Sequence, residues 1–197
     1  NIKTVLEKNK LDGIDLDFEW AENEKEYKDY SLAILKMREV LGNKYLFSVS
    51  LHPVCYKISK EAIEAVDFIS LQCYGPSPVR FPIEKYCSDI QMVLEYGIPK
   101  EKLVAGVPFY GVTKDNSKKT EAYFNFVQNG LVTSPAQNEV IYQGDTYVFD
   151  GQDNIRIKTR YAKEQKLKGM MSWDLATDLP LSDSRSLLKT MTEELRE

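Results

Sequence analysis

Residues 12–20 read Asp-Gly-Ile-Asp-Leu-Asp-Phe-Glu-Trp, in which apolar Ile14, Leu16 and Phe18 alternate with acidic Asp15, Asp17 and Glu19. A strand repeats every two residues, so the three carboxylates share one face and the apolar side chains share the other. Neighbouring acids on that face stand roughly 6–7 Å apart. Three like charges in a row repel one another, and strands are ordinarily poor in aspartate. The row persists where it is hydrated, protonated or put to use. Coupling of this kind raises at least one carboxyl, leaving it able to donate a proton near neutrality. The solvated face of an edge strand would show the same alternation. Gly13 ahead of the run, Trp20 after it and the apolar stripe opposite place the acids instead at the end of a strand whose other face is buried. Calcium and magnesium loops gather Asn, Asp and carbonyl oxygens in a turn, which a straight strand does not.

Outward from this stretch, strand and helix signals alternate. Residues 23–41 form an amphipathic pattern stopped by Gly42, and 45–51 an apolar, β-rich run ending at His52-Pro53. A short helix at 59–65 precedes a strand at 67–74, closed by Tyr74-Gly75-Pro76. A helix at about 83–96 ends at Gly97 and Pro99, and a strand at 102–109 runs into Tyr110-Gly111. Residues 112–153 break the alternation with a lysine-rich loop, a short helix near 120–129 and a hairpin around Gly144-Asp145. The alternation resumes with a helix at 155–167, a strand at 169–174 and a last helix after Asp183. Such a series implies a parallel sheet with helices outside it.

The 197 residues carry a net charge of −4 and 43% hydrophobic side chains, an ordinary globular composition that points to neither nucleic acid nor a membrane surface. No signal peptide or membrane-spanning run is visible. Cys55, Cys73 and Cys87 have no metal-binding spacing and leave an odd count, so buried free thiols are expected. Cys73, between Gln72 and Tyr74, should face away from both, toward the packing helices.

The run Asp12-Gly13-x-Asp15-x-Asp17-x-Glu19 resembles the signature of glycoside hydrolase family 18, the chitinases and endo-β-N-acetylglucosaminidases. Further matches follow in the family's order: Ser48-Val49-Ser50-Leu51, Gln72-x-Tyr74, Gly106-x-Pro108-Phe109-Tyr110-Gly111 and Gly169-Met170-Met171-Ser172-Trp173-Asp174. The resemblance implies an α/β fold, a partial TIM (β/α)8 barrel of about five βα units with a small α+β insertion. The barrel parts would be 1–111 and 154–197, and the insertion 112–153. In the family the acidic signature ends the fourth strand, so Asn1 would fall in the helix before it and three units would be missing. A closed barrel of this type needs eight strands. An open one exposes unpaired edges, which invites self-association or completion by another chain.

Active sites of such barrels lie at the carboxyl ends of the strands, where Glu19, Tyr74, Tyr110 and Trp173 all fall. The resemblance makes Glu19 the general acid, Asp17 the partner of the sugar's acetamido N–H, and Asp15 a proton-sharing neighbour that tunes both. Tyr74 would contact the acetamido carbonyl oxygen and Trp173 would floor the cleavage subsite. Tyr110 and Gln72 would line it, and Phe109 is a further candidate. Asp12 is expected to be structural, Trp20 either a sugar contact or packing, and His52 an ordinary loop residue. The family's chemistry is substrate-assisted: the 2-acetamido oxygen attacks the anomeric carbon, an oxazolinium forms, and configuration is retained. No cofactor or metal is implied. The partner is an N-acetylglucosamine oligo- or polysaccharide, most simply chitin, and the family is commonly secreted or associated with the cell envelope. Chitinases usually carry Met-x-Tyr-Asp where this chain has Gln72-Cys73-Tyr74-Gly75, which keeps open release of N-glycans at their chitobiose core. A non-catalytic chitin-binding protein usually lacks the acid, which is present here. The short insertion would leave one groove wall low and favour internal cleavage.

Overall fold

Five strand-helix repeats build the molecule. In the computed structural model, which describes residues 2–74, 82–115 and 119–196, α1 (Ile2–Asn9) leads into β1 (Gly13–Asp17). Then come α2 (Glu24–Leu41), β2 (Leu46–Leu51), α3 (Lys60–Ala65), β3 (Phe68–Leu71), α4 (Ile83–Tyr96) and β4 (Leu103–Pro108). Residues 110–148 then form a separate antiparallel sheet. It comprises β5 (Tyr110–Thr113), β6 (Thr120–Ala122), β7 (Glu139–Tyr142) and β8 (Asp145–Val148), with α5 (Tyr123–Gln128) between β6 and β7. The chain returns through α6 (Gln152–Glu164), β9 (Gly169–Trp173) and α7 (Leu187–Arg196).

The main sheet is parallel, in the order β1-β2-β3-β4-β9, and its barrel is not closed. Among the described residues, β1 and β9 each pair along one edge only. The period-two pattern divides its faces. Phe47, Val49, Leu51, Ile69, Leu71, Leu103, Ala105 and Val107 are all buried on the back, in one core with the helical residues Ile34, Ile63, Ile90 and Ile155. Burying each of the larger side chains stabilises the fold by about 1.5–3 kcal/mol. The front face carries Asp15, Asp17, Ser48, Ser50 and Ser70, with Asp15 opposite Ser48 and Asp17 opposite Ser50. Gly13 sets that register: a Cβ there would lie 2.3 Å from the Leu46 carbonyl oxygen, so only glycine lets β1 approach β2 so closely. The apolar side of β1 is covered less than its alternation predicts. Ile14 and Leu16 are half-buried and Phe18 is exposed, because β1 is an edge strand.

The end of the sheet opposite the acids is stitched by two cations. Arg38 donates to the carbonyls of Ala65, Gly42 and Tyr45 and pairs with Asp67 at 2.6 Å, and Asp67 also accepts from the Phe47 amide. Lys102 Nζ donates to the carbonyls of Ile63, Glu64 and Val66, satisfying groups that the end of α3 would leave open. A buried ion pair sits where the chain leaves the second sheet and enters α6. Lys158 of α6 meets Asp150 at 2.6 Å with both side chains at most 1% exposed, and Asn154 donates to the same carboxylate.

Candidate active site

The acidic row opens into a cleft of about 680 Å³ on the front face of the main sheet. Asp15 is held by its neighbour strand: Ser48 Oγ donates to its Oδ1 at 2.5 Å and Ser50 Oγ to its Oδ2 at 2.8 Å. Two residues on, Asp17 Oδ1 accepts from Gln72 Nε2 at 3.1 Å. Partial burial, and then the charge of Asp15, hold the Asp17 carboxyl above its ordinary value, against the lowering effect of Gln72. Glu19 lies past the strand end. Partial burial and then Asp17 raise it too, so each acid along the row makes the next easier to protonate.

The other side of the cleft is aromatic. Tyr74 is buried, and its hydroxyl donates to Met171 Sδ at 3.7 Å. Burial, then Tyr110 and Asp17, push the phenol far above its usual value, so it stays a protonated donor. Its ring meets Tyr110 edge-on, with centroids 6.4 Å apart. Gly106 gives that ring room, since a Cβ there would come within 2.9 Å of Tyr74 Cε1. Trp173 ends β9 with 57% of its surface exposed, an apolar plate at the cleft wall. Across the cleft Trp20 meets His52 edge-on at 4.8 Å. The Glu19–Trp20 and Trp173–Asp174 peptides are cis. Among the described residues, no group of three or more His, Cys, Asp or Glu side chains is placed to hold a metal ion.

The model of the family described as Glycosyl hydrolases family 18 matches residues 1–178. The chain belongs to that family. A curated relative, "Probable chitinase 2" of Drosophila melanogaster, is 23% identical over 241 residues, covering 90% of this chain and 49% of its own length. The family 18 chitinase ChiB of Flavobacterium johnsoniae superposes with a TM-score of 0.80 at 26% identity, over 98% of this chain and 63% of that one. A class V chitinase of Nicotiana tobaccum, solved in complex with NAG4, shares the fold at TM-score 0.78 and 16% identity, over 98% of this chain and 70% of that one. The chain spans about half the length of the curated relatives it matches.

All seven residues singled out from the family 18 resemblance, Asp15, Asp17, Glu19, Gln72, Tyr74, Tyr110 and Trp173, line the one cleft. Gln72 and Tyr74 sit just past β3, which stops at Leu71. Tyr110 opens β5 of the second sheet instead of extending β4. Phe109 is fully buried in the core and does not line the cleft; its position puts it on the back face. His52 is not an ordinary loop residue: it is buried, lines the cleft and pairs with Cys55 through backbone bonds. Gly75, which departs from the chitinase pattern, lies outside the described residues. Cys55 and Cys73 are buried free thiols and Cys87 is half-buried. Ser48 and Ser50, to which the resemblance assigns no role, are site residues as well. Their signal was two hydroxyls at period two inside an otherwise apolar strand.

Proposed function

We propose that this chain carries the catalytic machinery of a retaining hydrolase of β-1,4-linked N-acetylglucosamine polymers, chitin foremost. The observation that carries the reading is the row itself: Glu19, raised from its ordinary value by partial burial and then by Asp17, beside Asp17 and in one cleft with Tyr74 and Trp173. A carboxyl raised in this way keeps its proton to higher pH than a free one, which is the direction a general acid needs.

Glu19 gives its proton to the glycosidic oxygen as the bond to the anomeric carbon breaks. The substrate's own acetamido oxygen attacks that carbon, and an oxazolinium ion results. Asp17 accepts the acetamido N–H and stabilises the positive charge that develops there. Asp15, fixed by Ser48 and Ser50, stands next to Asp17 and raises it. The Tyr74 hydroxyl turns from Met171 to the acetamido carbonyl and aims the nucleophile. Water, deprotonated by the now ionised Glu19, then reopens the ring on the same face. Trp173 offers its flat surface to the C–H face of the sugar, while Tyr110 and Gln72 bound the subsite. An N-acetylglucosamine oligomer, the ligand of the tobacco structure, is the ligand we assign to this cleft.

The test is release of fluorophore from a chitotrioside by the wild-type chain and by Glu19→Gln. Clear release that the variant loses by about two orders of magnitude or more fits removal of a general acid. Equal inertness of both proteins refutes chitin cleavage by this chain.

A further inference from the structure

Glu19 stands beyond the last paired residue of β1, which is Asp17 opposite Ser50. The sheet ladder therefore does not fix where the carboxyl points. The chain immediately after it is held by one turn, residues 52–55, at the end of β2. His52 and Cys55 exchange both backbone hydrogen bonds, at 3.2 and 2.7 Å. From that turn Cys55 Sγ accepts the Ala21 amide at 3.2 Å, with both residues buried. The His52 ring packs edge-on against Trp20, 4.8 Å between centroids at an interplanar angle of 68°. The Val54 amide donates to His52 Nδ1 at 3.3 Å, which puts the proton of the neutral ring on Nε2 and fixes the ring's orientation. Tyr27 Oη donates to the Val54 carbonyl, tying the turn to α2, and the Glu22 amide donates to Glu26 Oε2, tying down the far end of the segment.

A buried cysteine most often serves as a small apolar filler. Here a filler would leave the buried Ala21 amide without an acceptor, which the fold would have to bear as lost stability. We infer that the His52–Cys55 turn is the positioning element for the acid: Cys55 acting through Ala21, and His52 acting through Trp20, set the stance of Glu19. Neither side chain takes part in the chemistry. The inference rests on the proposed role of Glu19, since positioning matters only if that carboxyl delivers the proton. An acid displaced by about 1 Å loses on the order of a hundredfold in rate while ground-state binding is largely kept.

The experiment pairs kinetics with a readout that needs no turnover. The chain has two tryptophans, so in a Trp173→Phe background Trp20 reports alone. In that background Cys55→Ala and His52→Leu should shift Trp20 emission to the red and raise its quenching by iodide, and Cys55→Ser, which keeps an acceptor, should not. In the otherwise wild-type chain, Cys55→Ala should lower kcat about ten- to a hundredfold with KM held, and Cys55→Ser should recover most of it. If Cys55→Ala does not fold, His52→Leu carries the same test, because it leaves Cys55 and its bonds in place. Unchanged emission and unchanged kcat in the folded variants overturn the inference while leaving the proposed acid intact. If wild type and Glu19→Gln are both inert, the catalytic reading fails, and Trp20 emission alone decides whether the turn holds the segment.

Discussion

Gly106→Ala puts strain where the fold and the cleft meet. Gly106 lies in β4 opposite Met171 of β9, on the front face. An added Cβ would stand 2.7 Å from the Leu71 carbonyl oxygen, 2.9 Å from Met171 Cε and 2.9 Å from Tyr74 Cε1. The Leu71 carbonyl cannot retreat, because its strand is paired to β4 through Leu71 and Ala105. The methionine can swing aside, but it is the partner of the Tyr74 hydroxyl, so relief there frees the tyrosine. Forcing a methyl into filled space costs about 1–3 kcal/mol. For a chain of this size each kcal/mol lowers Tm by about 2–4 °C. Gly169 is the control. It sits on the same ladder, opposite Val104, with nothing within 4 Å of a built Cβ and no positive φ. Gly169→Ala should be neutral or stabilising by about 0.4–1 kcal/mol. Urea unfolding of both variants separates them, and kcat on the chitotrioside should fall for Gly106→Ala as Tyr74 loses its aim. If Gly106→Ala unfolds at the urea concentration of Gly169→Ala, β3, β4 and Tyr74 are not packed this closely.

The raised carboxyls make stability depend on pH in a definite direction. Asp17 and Glu19 bind protons more tightly in the folded chain than in the unfolded one, so stability is fully present below the ordinary carboxylate values. It is lost as pH rises from there through the raised folded values. Glu19→Gln and Asp17→Asn should therefore be more stable than wild type at neutral pH and lose that gain below about pH 4, the ordinary carboxylate range; a gain that is the same at both pH values counts against raised carboxyls at these two positions. At the start of α6, Lys158→Met strands the fully buried Asp150 carboxylate and should cost about 3–5 kcal/mol in urea unfolding, much of it recovered when Asp150→Asn is added. A double variant no more stable than the single one refutes that account.

How far the site could be read in advance turns on strand parity. Asp15, Asp17 and Glu19 were placed on one face by alternation alone, and the same rule applied to β2 would have set Ser48, Ser50 and His52 beside them. Ser48-Val49-Ser50-Leu51 matches the family as a stretch without showing what its hydroxyls bind, and the sequence around His52 does not show what its ring meets. Their partners, Asp15 thirty-three residues from Ser48 and thirty-five from Ser50, and Trp20 thirty-two from His52, meet them only once β1 and β2 lie in register. Parity also decides between Phe109 and Tyr110: counting on from buried Val107, Phe109 falls on the back and Tyr110 on the front, as observed. What no local pattern could supply is the sheet's edge. Phe18 obeys the alternation and is still 44% exposed, because burial of a β1 side chain depends on a neighbour beyond that edge. The acids need less of that neighbour. Their anchors, Ser48, Ser50 and Gln72, lie on β2 and just past β3, the inner side of β1, so an open barrel can keep the row in order while its outer face stands bare. That separation is why turnover by this chain alone is worth measuring: it asks whether the carboxylate row suffices with its anchors on one side of β1 alone.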